Sequence, residues 1–144
     1  EVHDICIIGT DDLNIFNLVK ECHGHYPSKF VHLEPKEAEF CKYFNNIFNA
    51  TLITFANSFF EICKINNVNY TNVKNAITNR DHIKGNYLEC NDNFRGFGGM
   101  CLPKDVACMA KLAVGTNVDF FKFLLEENSK YKITILEGMR KNND

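Results

Sequence analysis

The stretch Arg95-Gly96-Phe97-Gly98-Gly99-Met100-Cys101-Leu102-Pro103-Lys104-Asp105 sets a thiol, an ammonium and a carboxylate directly behind three glycines. Glycines so clustered permit backbone angles or close approaches that a Cβ would forbid, as in a loop wrapped against a ligand. Cys101 ends that loop. Pro103 then falls where a first helical turn tolerates proline, and Lys104 to Leu112 reads as a helix with Val106, Met109, Ala110 and Ala113 on one face. The sulfur is therefore expected at a helix N-terminus, where the positive end of the dipole stabilises an anionic nucleophile. Asp105, four residues on, projects from the same face one turn later. From there it reaches the sulfur or a water attacking something bonded to it. The competing reading is a small core hydrophobe, since cysteine is among the most buried residue types.

A second pair capable of chemistry is Lys42 and Asn46, spaced i and i+4 and so stacked on one helix face. An ammonium and an amide in that arrangement can hold a substrate oxygen that becomes an alkoxide, although a solvated helix face has the same pattern. Cys22-His23-Gly24-His25 contains zinc-ligand types, but its spacing fits no structural metal site and no second cluster completes it. It reads better as a helix C-terminus closed by Gly24, and no metal is expected.

The elements that must place these residues follow from the pattern. Asp4 to Gly9 is a short buried-strand pattern, Thr10-Asp11-Asp12 offers caps for a helix carrying Leu13, Phe16, Leu18 and Val19, and Phe30 to Leu33 is a second strand. Strand, helix and strand in this span make one βαβ unit with parallel strands. From Pro35 to Asn66 an uninterrupted period of three and four runs through Cys41, Phe44, Phe48, Leu52, Phe55, Phe59, Ile62 and Ile65. A helix of that length is about 45 Å long, more than a small domain can cover on one side. With Phe40, Tyr43, Ile47 and Ile53 on other faces, a homodimer across helix 35–66 is expected, or else a further domain over the surplus face. A short helix is expected over Tyr70 to Ile77. Another is expected from Val118 to Lys130, continuing through Tyr131, Ile133, Ile135 and Leu136, fraying at Gly138 and ending in a disordered Asn142-Asn143-Asp144.

Composition narrows the class. With 45% hydrophobic residues in 144, the chain can bury a core, and a formal net charge of −2 leaves no basic surface for nucleic acid. No apolar run reaches the ~18 to 20 residues of a membrane span, so neither nucleic acid nor membrane is an expected partner. The seven cysteines are scattered without CxxC pairs and are read as reduced, in a cytosol-like compartment.

Gly96-Phe-Gly-Gly-Met-Cys101-Leu-Pro-Lys-Asp105 closely resembles the active-site signature of the UDP-glucose and GDP-mannose dehydrogenase family. Glu39-Phe-Cys-Lys42-Tyr-Phe-Asn-Asn46 is similar to the Glu-x-x-Lys-x-x-x-Asn that opens that family's central helix. The resemblance runs from about Ile5 to about Lys132. It implies a mostly α chain: a βαβ remnant of a Rossmann-type dinucleotide-binding domain (1–34), an all-helical central domain built on one long helix (35–136), and a tail (137–144). It implies NAD-linked oxidation of a UDP- or GDP-sugar alcohol to the carboxylate through a thioester on Cys101. Lys42 and Asn46 would stabilise the oxyanion, Asp105 would assist the hydrolytic water, Gly96, Phe97 and Gly98 would line the sugar site, and Lys104 would lie at the cofactor. Asn79 to Tyr87 resembles the family's Asp-x-Arg-Ile-Gly turn with a departure. Ile83 stands where the family has an arginine reaching the sugar nucleotide from the neighbouring subunit; Arg80 and Lys84 are the nearby cations. No Gly-x-Gly-x-x-Gly is present, so no NAD is expected on this chain alone and the chain is not expected to be a competent dehydrogenase. The second reading is a dimerising structural module of the same descent.

Overall fold

A computed structural model describes residues 4–131, which form two strands and five helices in the order β1 (Ile5–Gly9), α1 (Leu13–His23), β2 (Lys29–Leu33), α2 (Pro35–Ile65), α3 (Tyr70–Ile77), α4 (Leu102–Leu112) and α5 (Phe120–Ser129). The fold is mostly α, with one small parallel sheet at the N-terminal end. Expectations for Ile133, Ile135, Leu136, Gly138 and 142–144 lie outside the described residues. Among the described residues no helix is long and apolar enough to cross a membrane. The chain divides into two compact units, one ending at Phe44 and one beginning at Asn45.

In the first unit β1 and β2 pair in parallel, from Ile5 opposite Lys29 to Gly9 opposite Leu33. Asp12 caps α1, its carboxylate accepting from the Asn14 N–H at 2.7 Å, and Gly24 closes the helix at φ +66°. A Cβ on Gly9 would fall 2.7 Å from the Ala38 Cβ and 3.0 Å from the Pro35 Cα, so the missing side chain lets the strand end lie against the first turn of α2. Glu34 starts that helix twice over: its carbonyl accepts from the Ala38 N–H, and its own N–H donates to the Glu37 carboxylate.

The second unit is built on the rest of α2. Ile47, Ala50, Ile53, Ala56, Asn57 and Cys63 are its buried residues, and Ala56 and Cys63 join Tyr70, Leu88 and Cys90 in a core cluster flanked by Leu52, Phe60 and Ile83. This corrects the expected core face. Phe44, Phe48, Phe55, Phe59, Ile62 and Ile65 are exposed, Cys41 and Leu52 are half-buried, and Ile47 and Ile53, assigned to other faces, lie in the core. Ala50 and Ala56 are fully buried, Ala56 within that cluster, whereas the bulkier phenylalanine row is exposed.

Two helix boundaries also differ from expectation. Helix α4 starts at Leu102, taking in Pro103 in its first turn. Helix α5 starts at Phe120, because the Val118 N–H is held by the Thr116 hydroxyl at 3.1 Å, and it ends at Ser129 with Tyr131 in a turn.

Tyr70 ties α3 to the core, donating its phenolic hydrogen to the Leu88 carbonyl at 2.7 Å and packing edge-on against Phe60. Burial, reinforced by the nearby Cys90 and Glu89, pushes its pKa up to about 12. The folded state thus holds this proton more tightly than the unfolded chain, so the stabilisation is fully present below about pH 10 and is lost as pH rises toward 12. The unfolding free energy is expected to fall by roughly 2 to 3 kcal/mol over that window through this group. In denaturant titrations at pH 9 and pH 12, Tyr70→Phe should lack this portion of the alkaline loss; equal losses in both proteins would refute it.

Candidate active site

Cys101 occupies the N-cap position of α4, with φ −93° and ψ −57°, and is exposed at the end of the glycine loop. Its carbonyl accepts the Asp105 N–H at 3.0 Å, the first bond of the helix. Gly96 at φ +66° and Gly99 at φ +73° take left-handed angles, which explains glycine at both positions. The Cys101 side chain makes no capping hydrogen bond to α4, so it does not satisfy the first amides of the helix.

Asp105, one turn later, is 0% exposed. Its Oδ2 accepts from the Asn46 amide nitrogen at 2.6 Å and its Oδ1 from the Lys104 ammonium at 2.5 Å. Burial of a carboxylate is unfavourable unless it is paired, and here a donor from α2 and one from α4 hold its two oxygens. The hydrogen bond to Asp105 raises the pKa of Lys104, whose side chain remains 60% exposed. The structure therefore brings together Asn46, Lys104, Asp105 and the backbone of Cys101. Lys42 is exposed on α2, one turn before Asn46.

The loop itself is anchored from within. The Gly96 N–H donates to Asn57 Oδ1 at 3.1 Å, while the Phe97 N–H donates to Asn128 Oδ1 at 2.7 Å and the Phe97 carbonyl accepts from Asn128 Nδ2 at 2.9 Å. The Phe97 ring is 1% exposed. Gly96 and Phe97 thus commit these polar groups to the protein interior. Gly98 is half-buried and Gly99 exposed, so the loop emerges only after Phe97.

Asn57, Arg95 and Asn128 are contributors that sequence reasoning did not assign. Asn57 stands on the same α2 face as Asn46, three turns on, and its amide in a row of buried apolar residues was the available signal. Asn128 is remote in sequence from the loop it clamps and gave none. Ile83 points inward, packed against the cluster of Ala56, Cys63, Tyr70, Leu88 and Cys90, whereas Arg80 and Lys84 are exposed. Among the described residues no group of three or more histidines, cysteines or carboxylates is arranged to hold a metal.

Residues 36–143 match the UDP-glucose/GDP-mannose dehydrogenase family, central domain. The UDP-glucose 6-dehydrogenase TuaD of Bacillus subtilis is 26% identical over 135 residues, covering 92% of this chain and 29% of that protein. The UDP-glucose 6-dehydrogenase AglM of Haloferax volcanii is 38% identical over 77 residues, covering 54% of this chain and 17% of that protein. The structure of a UDP-glucose dehydrogenase from Pyrobaculum islandicum superposes with a TM-score of 0.80 at 27% identity, over 88% of this chain and 29% of that one. The chain belongs to the UDP-glucose/GDP-mannose dehydrogenase family and carries its central domain. It spans about three tenths of the length of TuaD.

Proposed function

We propose that this chain carries the thiol chemistry of a nucleotide-sugar 6-dehydrogenase, with Cys101 as the nucleophile that adds to the aldehyde carbon of a UDP- or GDP-linked sugar. The observation that supports this reading is Asp105: a wholly buried carboxylate, fixed by Asn46 at 2.6 Å, one helical turn beyond an exposed cysteine. When Sγ bonds to the carbonyl carbon, the carbonyl oxygen becomes an alkoxide. Asn46 gives one amide hydrogen to Asp105 and has a second for that oxygen. At the thioester stage Asp105 takes a proton from the attacking water, the carboxylate product forms, and the thiol of Cys101 is regenerated. Gly98, where the loop emerges, lies nearest the sugar, with Gly96 and Phe97 shaping the floor beneath it.

The family is NAD-dependent, and NAD, when bound, would supply the hydride acceptor for each oxidation. On this reading Lys104, whose side chain is 60% exposed, faces the cofactor side of the site. The turn after β1 is closed by the Thr10 N–H on the Leu33 carbonyl at 3.0 Å, Gly9 is pressed against Pro35 and Ala38, and the Lys104 ammonium is engaged by Asp105.

A second reading, a dimerising module without catalysis, draws on the exposed Phe55, Phe59 and Ile62 of α2, a face suited to a second copy of the chain. Alkylation by iodoacetamide near neutral pH, mapped by mass spectrometry with and without UDP-glucose, separates the two. The catalytic reading expects Cys101 to outpace the equally exposed class of thiol represented by Cys22, and UDP-glucose to slow Cys101 alone. A module expects equal rates and no protection.

A further inference from the structure

Arg95 stands immediately before the glycine loop and is 7% exposed. Its Nε donates to Asn57 Oδ1 at 2.8 Å, and a terminal nitrogen donates to Glu61 Oε1. The guanidinium lies 4.9 Å from the centroid of the Phe60 ring and 4.3 Å from that of Tyr131. The Asn57 oxygen that receives Arg95 also receives the Gly96 N–H and, at 3.5 Å, the Cys90 thiol. A cation this enclosed persists only with its counter-charge and hydrogen bonds in place, and a planar fork can meet Asn57, Glu61 and two ring faces at once where an ammonium cannot. Directly after it the chain turns at Gly96, is clamped at Phe97 by Asn128, and has only Gly98, Gly99 and Met100 left before Cys101.

We propose that Arg95 is a positioning residue for Cys101, acting through Asn57 and the Gly96 peptide, with Glu61 as the counter-charge that keeps the guanidinium seated. The proposal rests on the reading of Cys101 as a nucleophile. Arg95 fixes the direction in which the loop leaves the core, and so where the sulfur stands at the start of α4.

The test uses the full chain and reads amide hydrogen exchange together with iodoacetamide labelling. Arg95→Met should retain a cooperative unfolding transition and unchanged protection at the centre of α4. Exchange at Gly96 and Phe97 should speed up by about tenfold or more, and Cys101 labelling should fall toward the rate of Cys22. Arg95→Lys, which keeps the charge without the fork, should recover part of both effects. Equal acceleration of exchange across α4, or Gly96 exchange within about twofold of wild type, would overturn the proposal. Should Arg95→Met not fold, Glu61→Gln decides, because that side chain is 39% exposed and the amide keeps an acceptor for the guanidinium while removing the counter-charge. Faster Gly96 exchange with α4 unchanged supports the positioning role, and an unchanged Gly96 amide refutes it. Wild-type Cys101 labelling no faster than Cys22 would remove the nucleophile reading instead, a result distinct from any of these.

Discussion

Asn57→Ala is expected to lower the melting temperature by roughly 10 to 20 °C, a larger loss than removal of either Asp105 or Tyr70 side-chain hydrogen bonds should produce. Asn57 is 1% exposed, and its one oxygen serves Arg95 Nε, the Gly96 N–H and the Cys90 thiol while its nitrogen donates to the Ile53 carbonyl at 2.7 Å. Alanine leaves a buried guanidinium nitrogen and a buried amide without this acceptor and opens a void in the α2 face. Desolvated donors of this kind cost about 1 to 3 kcal/mol each, so a total of roughly 3 to 5 kcal/mol follows. Asn57→Asp retains an oxygen for Arg95 and Gly96 and gives up only the donor side, so its loss should be smaller. Calorimetric scans of the two variants check the ordering, and an alanine variant melting within a few degrees of wild type would contradict it.

Asp105 should separate stability from chemistry. Asp105→Ala removes the acceptor for Asn46 and for Lys104, and a loss of about 1 to 3 kcal/mol is expected from the partly buried amide left behind. Asp105→Asn keeps the shape and an oxygen for Asn46, so it should stay within about 1 kcal/mol of wild type and leave Cys101 open to alkylation. As a neutral amide it cannot take the proton of an attacking water. Hydrolysis of an acetyl thioester placed on Cys101 by p-nitrophenyl acetate should therefore slow by about a hundredfold or more. An asparagine variant that deacylates at the wild-type rate would remove Asp105 from the chemistry and leave it a purely structural tether.

Local chemistry was legible where few residues decide it. The cap at Asp12, the end of α1 at Gly24, the continuous α2 and the placement of Cys101 at the start of α4 all follow from residue types within one or two turns. Cys101 and Asp105 were legible as candidates from their place around a helix start, Lys42 and Asn46 only through the resemblance of their segment to the family's pattern, and the hydrogen bond from Asn46 to Asp105 from neither. The core face of α2 was misjudged for a physical reason. A hydrophobic period ranks faces by side-chain size, whereas the buried face here mixes Ile47 and Ile53 with the small Ala50 and Ala56 and the polar Asn57, which lowers its apparent hydrophobicity. The Arg95 network was hidden because a basic residue beside glycines ordinarily reads as solvated loop. Its burial depends on Asn57, Glu61, Phe60 and Tyr131, which meet it only in the folded chain.

The proposed function turns on the reactivity of the thiol at the start of α4. Competitive labelling with sub-stoichiometric iodoacetamide near neutral pH measures it, with Cys22 as the comparison because it is also exposed, whereas Cys90 is buried. The expected result is that Cys101 is modified at least about fivefold faster than Cys22, and that UDP-glucose suppresses this excess while leaving Cys22 unchanged. Equal rates for the two thiols, with no effect of UDP-glucose, would contradict it.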